Sequence, residues 1–462
     1  MRSWFIRGLF SLVIAAALLP VRAATADSLA DVMVQAYLTN PTLRAARAGQ
    51  RATDEQVPQA LSGWRPTVTV TGQIDEEDGK RKFYNLDAPT SKSDIQQTPG
   101  SLTITLSQPL FSGFATVEGT KAAKANVKAG QQDLLATEQS ILFNAVQTYM
   151  SVYSGRLLVA LQQENVSVLQ SQLNASNERF NAGEITRTDV EQSKASLSQA
   201  YASLATQRAT LAADAAKYLQ IIGREPGKLE YPRLARMPPS LDTAYAIAAE
   251  TNPNVLAAAF VEDSYFHNIN VARAGLLPEL TLQARANIAD DLQRGSGNYD
   301  ESLLIGGVLS MPLYEAGAVY SQVRQAKQLA SQKRIQVIEV ARAVRQAVAS
   351  SWSFLIAARE VIIAAKQQVA AQKLALEGVS QEATAGTRTT LDVLDAQAAV
   401  VSARTTLVNA ERSQVLAAYQ LLAAIGHLTA RDLELNVPIY DPDENYQAVR
   451  GKWIGTGVET VE

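Results

Sequence analysis

The chain has 462 residues, a formal net charge of −3 and no cysteine, and it is 47% hydrophobic but only 6% aromatic. The charge gives no support to nucleic-acid binding, and the missing thiol excludes a disulfide framework, a thiolate metal site, a cysteine nucleophile and a lipidated N-terminal cysteine. The two histidines, His267 and His427, lie far apart, and no cluster of oxygen ligands accompanies them, so neither metal nor cofactor is expected.

Residues 1–26 have the pattern of a secretory signal peptide. Arg2 and Arg7 form a basic start, Leu9 to Leu19 an apolar run, and Ala23, Ala24 and Ala26 offer cleavage after Ala23 or Ala26. No later stretch approaches the roughly 20 continuous apolar residues of a transmembrane helix. Any membrane span in the exported chain must therefore be made of strands.

The rest of the chain is a duplication. Ser28-Leu29 and Asn40-Pro41 recur as Ser240-Leu241 and Asn252-Pro253, an offset of 212 that also carries Gly63 onto Gly275 and Pro66 onto Pro278. Later landmarks shift to an offset of 203, which relates Pro109 to Pro312, Gly183 to Gly386 and Gly223 to Gly426. The change places an insertion between Pro66 and Pro109, where a loop tolerates it. The first repeat is drawn at 27–239 and the second at 240–435, with a proline-rich linker from Arg224 to Ser240. A polar C-terminal tail, 436–462, is expected to wrap the surface or remain disordered.

Each repeat begins with helix broken at Asn-Pro, since proline cannot continue the preceding helix. A β-hairpin is then expected at about 66–109 and again at about 278–312. Val68 and Val70 alternate with Thr67, Thr69 and Thr71, and Leu280, Leu282 and Ala284 with Thr281, Gln283 and Arg285, so each strand has one apolar and one wet face. Polar loops come next, long at Glu76 to Gly100 and short at Asp290 to Asp300, before return strands near Leu102–Ser107 and Leu303–Ser310. Four strands of this length suit a bilayer but cannot close a barrel, and an open edge in lipid is prohibitive. Two copies would give eight strands and three would give twelve, and strand arithmetic does not choose between them.

From Val117 to about Ala182 the pattern is helical without a strong break, on the order of 100 Å at about 1.5 Å per residue. Its partner returns from Gly183 to Ile222, with Val190, Leu197, Leu204, Leu211 and Tyr218 at heptad spacing. Val393, Val400, Leu407, Gln414 and Leu421 repeat that register, and Val127, Leu134 and Ile141 match Ala330, Val337 and Val344 on the ascending helices, as in coiled coils. Tyr149, Tyr153, Tyr201 and Trp352 are taken as seam and packing residues, and both histidines as structural.

The bends at Gly183 and Gly386 are the hairpin tips. The second, Gly386-Thr-Arg-Thr-Thr-Leu-Asp-Val-Leu-Asp-Ala396, closely resembles the tip motif of the TolC family of outer-membrane channels. Arg179-Phe-Asn-Ala-Gly183 with Thr188-Asp189-Val190 resembles the partner tip, and the paired Asn-Pro, Gln-Pro-Leu-Phe and Met-Pro-Leu-Tyr turns fall in family order. The resemblance implies a mostly α-helical mixed fold: a β-barrel in the outer membrane, four strands per chain and closed by trimerisation, continued into a coiled-coil periplasmic tunnel. It further implies a non-enzymatic exit duct for an efflux pump or type I secretion system, with a periplasmic adaptor docking at the tips and an inner-membrane transporter of ABC or RND type. By the same resemblance Asp392 and Asp395 would ring the constriction, and Arg388, Asp189 and Thr188 would belong to the network that ties helices shut. The family has a tyrosine three residues before the tip glycine where this chain has Ala383, so closure here should not use it. Without the family, Arg388–Asp392 would be an ordinary i,i+4 pair, and Asp189 and Asp392 acids at helix starts. A coiled-coil scaffold with a soluble sheet is the competing class.

Overall fold

The computed structural model describes residues 27–85, 88–291 and 299–458; the leader assigned to 1–26 lies outside them. In chain order, helices α1 (Leu29–Thr39), α2 (Pro41–Asp54) and α3 (Gln56–Leu61) lead to strands β1 (Thr67–Ile74), β2 (Glu77–Asn85), β3 (Ala88–Gln97) and β4 (Pro99–Ser112). The first hairpin of long helices is α4 (Ala115–Asn181) and α5 (Arg187–Ile222). The sequence of elements then repeats as α6 (Leu241–Thr251), α7 (Pro253–Ala274), β5 (Glu279–Asp291), β6 (Tyr299–Ser310), α8 (Ala318–Thr384) and α9 (Thr390–Ala424), and closes with α10 (Pro442–Val449).

One antiparallel sheet has the order β1-β4-β5-β6. Its register lines up Val68, Leu106, Ala284 and Ile305 across the four strands, and beside them Val70, Ile104, Ala286 and Leu303. The alternate rows, Thr69-Thr105-Arg285 and Thr71-Thr103-Asn287-Ser302, are polar except that the first ends in Leu304 on β6, and the Thr103 hydroxyl donates to Asn287 Oδ1 at 2.8 Å. One face is therefore apolar and open: Val68 is 66%, Leu303 74% and Ile305 67% exposed. Burying an aliphatic side chain is worth about 1.5–3 kcal/mol, so a face of this kind is built for a non-aqueous surrounding. β1 and β6 are the two edges, and each leaves one row of backbone groups without a strand partner among the described residues.

Two strand expectations change. The polar stretch Glu76 to Gly100 is not a plain loop, because β2 and β3 pair from Glu77↔Gln97 to Asn85↔Ala88 as a separate two-stranded hairpin. The sequence of this ribbon carries no apolar alternation to betray it. β4 also runs on through Pro109 to Ser112, with a register shift between Pro109 and Phe111. Pairing with β1 ends at Ser107, so the missing N–H of Pro109 falls where a bulge absorbs it.

The 67-residue helices α4 and α8 are each on the order of 100 Å long at about 1.5 Å per residue. α8 carries an 18-residue window of mean hydropathy 1.5, apolar enough to cross a membrane by composition, and it contacts both α7 and α9. Tyr149 is fully buried in the core and its hydroxyl lies 2.6 Å from the Glu230 carbonyl; burial pushes its pKa up to about 12. Tyr201 is 51% exposed and fills no seam in this chain.

The Asn-Pro breaks are clasps. Asn40 Oδ1 accepts from the Thr42 and Leu43 N–H groups, capping α2, while its Nδ2 donates to the Ile221 carbonyl at 3.0 Å. Asn252 does the same for α7 and donates to the Ala424 carbonyl at 2.9 Å. Each clasp ties the start of a repeat to the end of that repeat's returning helix, beside Gly223 (φ +83°) and Gly426 (φ +87°). A Cβ on Gly426 would lie 2.5 Å from the Thr251 carbonyl oxygen, whereas at Gly223 the nearest atom is 3.5 Å away. Higher up, Glu118 on α4 meets Lys121 at 2.7 Å, His267 Nδ1 on α7 at 2.7 Å and Asn270 at 3.1 Å. The linker after α5 is extended and bridges Asp27 to Leu229, and the tail does wrap the surface over its described residues, 436–458, with α10 docked on α2.

Two outcomes are expected. Gly426→Ala should lower unfolding stability by about 2 kcal/mol or more and Gly223→Ala by about 1 kcal/mol, as measured by thermal melts in detergent. The Lys121 and His267 contacts hold Glu118 down to about 2 from its ordinary 4.5, so its contribution is full above pH 4.5 and fades as pH falls towards 2. Glu118→Gln should therefore melt lower than wild type at neutral pH and show a shallower decline between pH 4.5 and 2.

Candidate functional site at the helical tips

Both bends are built the same way. α4 ends with Gly183 at φ +77° and α8 with Gly386 at φ +80°, conformations that glycine adopts without a Cβ penalty. In the first, Gly183 N–H donates to the Phe180 carbonyl and Glu184 N–H to the Arg179 carbonyl; in the second, Gly386 donates to Ala383 and Thr387 to Glu382. These paired bonds satisfy carbonyls that a helix end leaves open.

The returning helices begin with matched capping boxes. The Thr186 hydroxyl accepts from Asp189 N–H, and the Asp189 carboxylate accepts from Thr186 N–H at 2.9 Å and from its hydroxyl at 2.7 Å. Thr389 and Asp392 repeat this, at 2.9 and 2.8 Å to the Asp392 carboxylate. The Thr186 hydroxyl beside Asp189 and the Thr389 N–H beside Asp392 hold both carboxyls below the ordinary carboxylate range. Both acids thus stay ionised at neutral and mildly acidic pH, at the positive end of a helix.

Arg388 does not make the i,i+4 pair with Asp392. Its Nε donates to Glu382 Oε2 at 2.8 Å, across the bend, rather than to Asp392 or Asp189. The first tip carries the charge-reversed version, Arg179 Nε to Glu184 Oε2 at 3.1 Å. Arg179 and Glu382 are equivalent by the 203-residue offset, so each hairpin is clasped by its own ion pair with the signs exchanged. Pairing across a glycine bend follows no i,i+4 rule, so Glu382 escaped the sequence reading. Both pairs are exposed, and solvent screening leaves each of them individually weak.

Thr188 lies in the first turn of α5 and is exposed. Asp395 is exposed one turn beyond Asp392, and the i,i+3 spacing puts both on one side of α9. Leu394 points elsewhere, buried with Leu169, Leu197 and Ala200 of the first hairpin. Above it Gln397 donates to Asn165 at 3.1 Å and Arg404 to Glu164 at 2.8 Å, so α9 is docked on α4 just above the acids. Ala383, at the family's tyrosine position, is only 6% exposed. Among the described residues no three His, Asp or Glu side chains of the one chain gather as a metal site.

A lipophilic sheet continued by helical hairpins about 100 Å long defines a subunit of a membrane-spanning conduit. The chain belongs to the outer membrane efflux protein family, whose model matches residues 32–224 and 244–427. It is 38% identical to the outer membrane efflux protein BepC of Brucella suis biovar 1 (strain 1330), over 94% of this chain and 93% of that protein. It is 28% identical to the outer membrane protein TolC of Escherichia coli (strain K12), over 91% of this chain and 87% of TolC. The crystal structure of the Campylobacter jejuni CmeC outer membrane channel superimposes with a TM-score of 0.77 at 16% identity, covering 92% of this chain and 89% of that one. The protein is thus a TolC-like outer-membrane channel protein, and its apolar sheet face is the lipid-facing one.

Removing one cap should open the second tip locally. Thr389→Ala is expected to speed amide exchange over the first turn of α9 about fivefold, with exchange near Asn252 and Gly426 unchanged, by hydrogen-exchange mass spectrometry.

Proposed function

We propose that three copies of the chain form the passive outer-membrane exit duct of an efflux pump or type I secretion system. The observation that carries this reading is the four-stranded sheet with an apolar face and two unpaired edges. Lipid offers those edges no hydrogen bonds, so β6 of one copy must pair with β1 of the next until the sheet closes. Three copies give twelve strands, a barrel with room for a pore, as is typical of the family. Exposed apolar side chains along α8, such as Ile335, Phe354 and Leu374, supply surface for neighbouring copies along the tunnel.

The tips are the gate. Asp392 and Asp395, from three copies, set about six carboxylates around one axis and favour cations. Arg388, exposed and paired with Glu382 in the single chain, exchanges that partner for a neighbouring tip when the tunnel closes. Asp189 and Thr188 form the facing rim of the first hairpin. The bends at Gly183 and Gly386 present the ends to a periplasmic adaptor, and an inner-membrane transporter of ABC or RND type supplies energy and cargo choice. The duct itself performs no reaction.

Planar-bilayer recording tests this. Wild-type trimers should show small cation-selective openings, Arg388→Ser larger ones, and the Asp392→Ala/Asp395→Ala double variant reduced cation preference. Verified trimers in which wild type and Arg388→Ser are equally silent would overturn the duct. Unchanged selectivity in the double variant would move the constriction away from these acids.

A further inference from the structure

The C-terminal tail does more than cover α2. α10 is anchored by Asn445, which donates to the buried Asp54 carboxylate at 2.7 Å, and by Asp443, which accepts from Gln131 at 2.7 Å. Tyr446 packs against the Val57, Ala123 and Val127 cluster. From this base the chain climbs to the sheet. The Arg65 guanidinium lies 4.9 Å from the Trp453 ring centroid, and its Nη1 donates to the Lys452 carbonyl at 2.8 Å. Arg65 stands two residues before β1, and the neighbouring Trp64 carbonyl accepts from Gln108 of β4 at 2.8 Å. Trp453 is therefore held beside the end of the sheet where the helices begin.

The segment that carries it is a closed loop. Lys452 Nζ donates to the Gly457 carbonyl at 2.8 Å, and Gly455 takes φ +107° in between. Trp453 is 66%, Ile454 90% and Val458 80% exposed. Arg450 and Lys452, both exposed, flank them. In water a fixed loop gains nothing from presenting an indole and two aliphatic side chains. Other large side chains stand exposed where the remaining strands meet helices: Phe114 just after β4, and Leu313 and Tyr314 just after β6. The loop thus continues the margin of the lipid-facing sheet.

We propose that residues 452–458 form an interfacial anchor seated on the periplasmic leaflet of the outer membrane. Trp453 and Ile454 enter the boundary between headgroups and acyl chains, where an indole finds both apolar contact and a hydrogen-bond partner. Lys452 and Arg450 meet lipid phosphates, the combination used by surface-bound segments. Arg65 fixes the depth through its cation–π contact, coupling the start of β1 to the membrane surface.

The test uses the full chain with Trp4, Trp64 and Trp352 replaced by phenylalanine, so that Trp453 is the sole fluorophore. It is reconstituted in phosphatidylethanolamine–phosphatidylglycerol vesicles with brominated acyl chains. Bromination near the headgroup end should quench Trp453 about twofold or more, and aqueous iodide should have little effect. A companion carrying Leu303→Trp in a tryptophan-free background reports barrel insertion separately, through quenching by deep bromination. Given that insertion, iodide-sensitive emission indifferent to bromolipid overturns the anchor. Protection from iodide without bromolipid quenching also overturns it, pointing to contact with a second copy. Arg65→Gln should lower the bromolipid quenching about twofold by releasing the ring; unchanged quenching would remove Arg65 from the device.

Discussion

Backbone hydrogen bonding in lipid is the constraint on which the rest depends. A β-sheet in water can leave an edge to solvent; the same edge in hydrocarbon has nowhere to turn. The chain holds four paired strands with β1 and β6 at the margins, so its sheet is one segment of a larger closed object. The apolar rows through Val68 and Val70 and the polar rows through Thr69 and Thr71 already have the two faces of a barrel wall. Long helices can then continue the wall below the membrane because their own backbones are satisfied internally.

Length brings its own difficulty, since one apolar cluster around Tyr149 and Leu421 cannot by itself set the position of hairpins on the order of 100 Å. The chain answers with a few directional contacts at repeated positions. Asn40 and Asn252 cap one helix and hold the end of another with the same side-chain amide, and proline sets the break that makes each cap possible. Gly426 shows how closely the second clasp is drawn, with the Thr251 carbonyl where a Cβ would stand. Glu118, His267 and Asn270 then join the two repeats just below the sheet.

At the tips the design changes from rigid to self-contained. Four charged groups there are satisfied locally: Asp189 by Thr186, Asp392 by Thr389, Arg388 by Glu382 and Arg179 by Glu184. The apolar cluster that docks α9 on the first hairpin ends at Leu394, and beyond it the tips carry exposed hydrogen bonds and ion pairs, each weak and exchangeable. Such an end keeps its shape alone and can trade partners at little cost, as the proposed gate requires.

The sequence by itself determined the duplication, the four main strands, the long hairpins, the glycine bends and the family, because each leaves a periodic or positional mark. Period-2 alternation marks strands with unlike faces, heptads mark helix seams, and glycine marks a positive φ. Only the tertiary structure decided the β2–β3 ribbon, whose sequence shows no apolar alternation, and the run of β4 past Pro109, tolerated because β1 has already ended. It alone decided that Arg388 belongs to Glu382, since a bend brings together residues that no helical spacing relates. The tail is the clearest case. Residues 442–458 look like polar surplus in sequence, and their order comes from Asp54, Gln131 and Arg65, partners more than 300 positions away that only folding brings near.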